Sequence, residues 1–213
     1  MNWQYVSRKE YGYFEFAWRQ YHAFYTTRKG QDFLIETTKP IFLKQIHSAA
    51  IIDVDSQKER RGDGLTSTRE NALGVKVADC LPVYLFSQKR ITVIHCGWRG
   101  IIAGIAKNAM KIMGGFKYVL GASIGPCCYE VQEDVAGLFE QNYKDALLMR
   151  KAKNYLDLKS AVIKDLGAER MLGSLNLCTK CHPDLFYSHR RGDAQRNYAL
   201  LNRDMIDAGQ RAG

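Results

Sequence analysis

The chain has 213 residues, enough for one substantial hydrophobic core and short for two. Apolar residues make up 46% and charged residues 25%, which excludes a disordered chain, and no window approaches the roughly 18 apolar residues of a membrane-spanning helix. The 31 Lys and Arg against 22 Asp and Glu leave a formal charge of +9 and favour anionic partners.

The basic residues are scattered. The densest runs, Lys58-Glu59-Arg60-Arg61 and His189-Arg190-Arg191, are too short for a nucleic-acid stripe. Most of the excess therefore reads as solvated surface and the rest as the surround of a small anionic ligand, with no nucleic-acid and no membrane partner. Composition does not bear on the oligomeric state. Met1-Asn2-Trp3-Gln4-Tyr5 has no basic stretch ahead of an apolar one, so a cytoplasmic chain with mostly reduced cysteines is expected. Neither repeats nor linkers interrupt residues 1–213, and the four prolines are dispersed, which reads as a single domain.

In chain order, Phe14–Trp18 and His22–Thr27 are aromatic and β-branched and read as strands. Ile41–Gln45 and Ala50–Val54 read as strands flanking His47. Leu73–Val77, Val83–Phe86 and Ile91–His95 are short apolar runs of the buried-strand kind. The period then changes. Ile101, Ile102, Ile105, Ala109, Ile112 and Met113 recur at helical spacing, predicting one helix from Trp98 to Met113, with Gly100 and Gly104 inside it and Gly114-Gly115 closing it. Tyr118–Ser123 reads as a strand, Glu133–Gln141 and Leu158–Leu166 as helices, and Leu172–Leu177 as a strand. The mixture predicts an α+β domain of mixed sheets with flanking helices.

His47, Cys80 and His95 each fall at the end of a strand candidate. Imidazole and thiolate together suit zinc, and three protein ligands leave a fourth position open for chemistry. The plainer alternatives stay open on spacing alone: a cysteine after a strand packs as a small hydrophobe, and a histidine satisfies a local hydrogen bond. Gly125-Pro126-Cys127-Cys128-Tyr129 reads as a turn with packed thiols. Cys178-Thr179-Lys180-Cys181-His182 resembles both a redox CxxC and half of a zinc knuckle, but without a second CxxC no second metal is expected.

Lys44-Gln45-Ile46-His47-Ser48, Gly62-Asp63-Gly64-Leu65-Thr66, Ala78-Asp79-Cys80-Leu81-Pro82-Val83 and His95-Cys96-Gly97-Trp98-Arg99-Gly100 are ordered blocks. With Ser123 to Val131 and Cys178 to Arg191, they resemble the YfiH/LACC1 family, the multicopper polyphenol oxidoreductase or laccase-domain proteins. The resemblance runs from about residue 22 to 202. It implies zinc ligation by His47, Cys80 and His95, and mixed sheets with helices outside, like a cysteine hydrolase fold of the cytotoxic-necrotizing-factor type. Departures are also present. Cys96 replaces a usual alanine, His189 a tyrosine and Gln195-Arg196 a Gly-Arg pair, and a family stretch before Ile41 is missing.

The activities the resemblance implies are purine nucleoside phosphorolysis of inosine, adenosine or methylthioadenosine, and adenosine deamination. Others are amide cleavage of a UDP-linked amino-sugar serine precursor and copper-dependent polyphenol oxidation. Zinc suits the donor set better than copper, because five histidines are too few for a multicopper centre. A non-enzymatic RNA-binding module lacks interleaved aromatic and basic residues. Phosphorolysis with zinc is the preferred reading, the partners being nucleoside and phosphate. Gly97 and Arg99, at a strand-to-helix turn, are expected to bind phosphate, with His47, Cys80, His95 and Arg99 as catalytic residues. Arg28, Arg190 and Arg191 are further anion-binding candidates, and Asp79 is expected to orient a ligand or its turn.

Overall fold

The computed structural model describes residues 2–69 and 71–203. Its strands are β1 (Gln4–Ser7), β2 (Gly12–Trp18), β3 (Tyr21–Thr26), β4 (Ile41–Phe42), β5 (Ile51–Asp53), β6 (Gly64–Ser67), β7 (Leu73–Val77) and β8 (Leu81–Phe86). They continue with β9 (Ile91–Cys96), β10 (Lys117–Leu120), β11 (Glu130–Val131), β12 (Leu147–Arg150), β13 (Lys153–Leu156), β14 (Met171–Ser174) and β15 (Asn197–Arg203). The helices are α1 (Gln31–Thr38), α2 (Trp98–Ile102), α3 (Ile105–Met113), α4 (Glu133–Tyr143) and α5 (Leu158–Leu166). None is long and apolar enough to cross a membrane.

Two six-stranded mixed sheets carry the architecture, one in the order β1-β2-β3-β15-β7-β4 and the other β14-β10-β8-β9-β6-β5. They pack face to face. Phe14, Phe16, Tyr25, Val75 and Leu201 of the first meet Tyr84, Phe86, Ile91 and Val93 of the second in one core. Tyr84 also donates its hydroxyl to the Phe24 carbonyl at 2.9 Å, which ties β8 to β3. The other face of the second sheet, through Leu81, Val83, Leu85 and Ile94, packs against Ile105, Ala109, Phe139, Val162 and Leu166 of α3, α4 and α5. Both faces of β8 and β9 are therefore covered, which is why they read as unbroken apolar runs. Each large apolar side chain buried there contributes about 1.5–3 kcal/mol.

The helical period beginning at Trp98 is borne out, but the single helix expected from Trp98 to Met113 is two. Gly104 sits at φ +86, and the helix ends at Ile102 before α3 begins at Ile105. The break turns α2 toward the loop that carries His47. A Cβ on Gly100 would stand 3.2 Å from the Ser48 carbonyl, and Asn108 of α3 donates to the Ala49 carbonyl at 3.1 Å. The strand expectations at Ile41–Gln45, Tyr118–Ser123 and Leu172–Leu177 are shortened to β4, β10 and β14. Beyond β10, only Ser123 bridges to Cys178.

Elements without a sequence signal also form. The β12–β13 hairpin turns on Lys151 and Ala152 at φ 49 and 55, a conformation that usually draws Asn-Gly. Helix α1 buries a single fully covered side chain, Leu34, against Phe24 and Leu200 on the outer face of the first sheet.

Gly104→Ala separates a broken helix from a continuous one by its sign. In a straight helix alanine stabilises by about 1 kcal/mol. At φ +86 it should destabilise by about 1 kcal/mol, a fall in Tm of roughly 2–4 °C by calorimetry.

Candidate functional site

The chain crosses between the two sheets twice near the same point. The segment from β4 to β5 carries His47, and the three residues from β7 to β8 are Ala78, Asp79 and Cys80. Each crossing holds a non-glycine residue at positive φ, His47 at 57 and Asp79 at 83, a conformation that persists only where surrounding contacts impose it. His95 comes from the end of β9, paired with Pro82 of β8. Together these place the imidazoles of His47 and His95 and the Cys80 thiol with their donor atoms within 4.8 Å of one another. The two imidazoles meet edge to face with centroids 5.0 Å apart.

Asp63, fully buried just before β6, organises this group. One carboxylate oxygen accepts the His95 Nδ1 proton at 2.9 Å, leaving Nε2 as the free donor atom. The other accepts the Ile46 and Ser48 backbone N–H groups at 3.2 and 2.6 Å and the Ser48 hydroxyl at 2.9 Å, so it grips the loop on both sides of His47. Burial alone would raise the Asp63 pKa. The hydrogen bonds from His95 and Ser48 outweigh it and hold the carboxyl far below the usual range. Burial likewise opposes charge on Cys80 and His95, but each stabilises the other. The thiol is drawn down to about 6 by His95 and His47, and the imidazole is raised to about 9 by Cys80 and Asp63.

Gly97 has a steric role at this point. A Cβ there would stand 3.0 Å from the Cys80 sulfur and 3.6 Å from the His47 ring. Any side chain would intrude on the donor group. Two recesses open on either side of it, both lined by His47, Ala78, Cys80 and His189. The first, about 350 Å³, adds Trp98, Arg99, Tyr129 and Arg190. The second, about 360 Å³, adds Gln45, Lys76, His95 and Arg196.

The two arginines of the first recess are held by aromatic faces. The Arg99 guanidinium lies 4.4 Å from the Trp98 ring and that of Arg190 lies 5.3 Å from Tyr129. Asp79 does not face the donors. It accepts from Thr179 and Ser188 hydroxyls at 2.6 and 3.0 Å and from the Arg190 N–H at 2.6 Å, and so pins the wall that carries Arg190.

Other expectations change. Arg28 is not part of either recess: its guanidinium pairs with Asp193 at 3.0 Å, donates to the Phe186 carbonyl and covers Tyr187. Arg191 shares Asp193 with it and donates to the Thr179 and Lys180 carbonyls. Helix α2 is five residues long, so its dipole adds little, and the positive charge of the first recess comes from the Arg99 and Arg190 guanidinium groups. Nothing in the sequence around Asp63 signals its role. A carboxylate becomes a histidine's partner only through the pairing of β6 with β9. Tyr129 and His189 were likewise left without a role, and both line the first recess.

The fold and its parts match known proteins. The family model of the multi-copper polyphenol oxidoreductase laccases matches residues 23–201, and the chain belongs to that family. It is 34% identical over 168 residues to a purine nucleoside phosphorylase of Clostridium acetobutylicum, covering 70% of each chain. It is 32% identical over 188 residues to one of Borreliella burgdorferi, covering 80% of this chain and 82% of that one. The crystal structure of YlmD from Geobacillus stearothermophilus superposes with a TM-score of 0.80 at 22% identity, over 92% of this chain and 98% of that one. That likeness extends to the mixed sheets and flanking helices of the whole fold.

The donor set suits a metal: two imidazoles and a thiol, hydrogen-bonded to one another, lie close enough to converge on one ion. Asp63→Asn keeps the shape and removes the charge behind His95. It should weaken zinc binding at this group by roughly 10- to 100-fold, read by competition with a chromogenic chelator. Unchanged affinity would limit Asp63 to holding the His47 loop.

Proposed function

We propose that this member of the laccase family is a zinc-dependent purine nucleoside phosphorylase. Its substrates are inosine, adenosine and methylthioadenosine, and adenosine deamination is a second reaction of the same site. His47, Cys80 and His95 hold the metal. The observation that carries the reading is the shared recess, in which Arg99 and Arg190 face the same space as His47 and Cys80. The activity named for the relatives at 34% and 32% identity supports it.

Arg99 and Arg190 bind the phosphate, with bidentate contacts that fix its orientation. A phosphate oxygen forms a bond to the ribose anomeric carbon as the glycosidic bond breaks. The bonding pair leaves with the purine, which takes up a proton, and the products are free base and ribose 1-phosphate. Tyr129 and Trp98 hold the arginines in place and narrow the recess against water. Asp63 keeps the Nδ1 of His95 protonated, so that Nε2 is presented as the ligand atom. Zinc, when bound by His47, Cys80 and His95, would supply Lewis-acid polarisation.

Zinc and not copper is the metal of this reading. Among the described residues, His47 and His95 share one donor group with Cys80, and the other group with metal-binding potential contains cysteines alone. His22 pairs with Glu15 at 2.8 Å, away from both. A multicopper cluster needs several imidazoles in one place.

Zinc-loaded chain incubated with inosine and phosphate should release hypoxanthine and ribose 1-phosphate, followed by chromatography. Free ribose without phosphate dependence, or no turnover of any of the three nucleosides, would overturn the assignment. Arg99→Lys should retain the metal and raise the apparent KM for phosphate by roughly 10- to 100-fold, the loss of about one charge-assisted hydrogen bond. Adenosine deamination, which uses no phosphate, should change far less. Unchanged phosphate kinetics with a lower Tm would make Arg99 a structural residue.

A further inference from the structure

The sequence offers a single CxxC and a separate Cys-Cys pair, and neither alone is a metal site. The fold brings them together. Cys127, Cys128, Cys178 and Cys181 place their sulfurs within 4.8 Å of one another, with Cys181 3.7 Å from Cys127 and 3.4 Å from Cys128. Four sulfurs at about 2.3 Å from one zinc ion, in tetrahedral array, stand about 3.8 Å apart. A disulfide requires about 2.05 Å, and adjacent residues such as Cys127 and Cys128 bridge each other only with strain.

The backbone donors converge on one of the four sulfurs, that of Cys178. The Gly125 N–H donates to the Cys178 sulfur at 3.2 Å, and the Cys181 N–H faces the same atom across the CxxC turn. Cys128 and Tyr129 donate back to the Gly125 carbonyl at 2.9 and 3.0 Å, closing the turn that presents Cys127 and Cys128. Lys159 lies close enough to act electrostatically on Cys178, and its charge offsets part of the −2 that a tetrathiolate keeps with one divalent ion.

We propose that Cys127, Cys128, Cys178 and Cys181 form a second metal site, a closed tetrathiolate that takes one structural zinc ion. It is separate from the His47 group in every ligand and leaves no position for substrate. The site staples the turn after β10 to the segment after β14. Both strands of that staple reach the first recess: Tyr129 follows Cys128 and lines it, and Thr179 follows Cys178 and fixes Asp79, which holds Arg190. The zinc ion would therefore set the recess wall without touching substrate.

The test is metal stoichiometry by mass spectrometry on the full chain, purified with zinc and without chelators. The expected result is about two zinc ions per chain, falling to about one in Cys80→Ser and to about one in Cys178→Ser/Cys181→Ser, with the remaining ion at the other site. One ion in the intact chain and none in Cys80→Ser would overturn the proposal. So would iron in place of zinc, or non-reduced chain in which these four thiols are found as disulfides. Should the double variant fail to fold, cobalt added to Cys80→Ser reports on the intact cluster. Intense thiolate-to-cobalt absorption with tetrahedral visible bands supports the site, and its absence overturns it. Neither outcome depends on the phosphorylase reading, which Cys80→Ser and the nucleoside assay test separately.

Discussion

Asp63 has no exposed surface, and a buried carboxylate must find donors for both oxygens or forfeit several kcal/mol. The donors it finds set the shape of the site. His95 approaches from β9, Ile46 and Ser48 approach from the loop before β5, and each is held at hydrogen-bond distance by the same side chain. The orientation of His95 and the position of His47 are thus a single constraint. Its energy comes from charge-assisted hydrogen bonds in a water-poor setting, where they are stronger than at a surface. The positive φ at His47 is the local cost, and the grip on both flanking residues sustains it.

The site forms where the two sheets separate, with His47 and Cys80 on their shared crossings and His95 at the end of β9. Residues on a packed strand pair would be covered on both faces, as β8 and β9 are. The crossings leave the His47 and Cys80 side chains at the junction of two recesses of similar size, one rich in arginine and aromatic rings, the other in Lys76, Gln45 and Arg196. Two recesses meeting at one centre suit a reaction that joins two reactants, one anionic. The net charge of +9 is expressed there as a few placed cations and elsewhere as scattered surface.

A fold of this kind does not decide chemistry, and neither does the name of a family. The chain belongs to a family described by copper and polyphenols. Its own donors are one pair of imidazoles with a thiol and one set of four thiols, which favour zinc in the first case and a soft structural ion in the second. The two sets are tied through Asp79 and Thr179, so the wall of the arginine-lined recess and the cysteine cluster share one framework.

Local pattern determined much of this protein. Continuous apolar runs marked the doubly covered strands, helical spacing marked α3, and Leu158–Leu166, read as a helix, is α5, whose first turn the Asp157 carboxylate caps. The order of the motifs pointed to the family. What local pattern lacks is distance between segments. Whether Trp98 to Met113 is one helix depended on the loop it must pack against, since glycine permits either geometry. Asp63 became the partner of His95 only when β6 paired with β9, and Arg28 was lost to the site when Asp193 folded beneath it. Four cysteines 54 residues apart at their widest became a cluster through the bridge of Ser123 to Cys178. Residue types and their periods are properties of a segment, whereas hydrogen-bond partners and ligand sets are properties of convergence, and only the packed sheets bring those segments together.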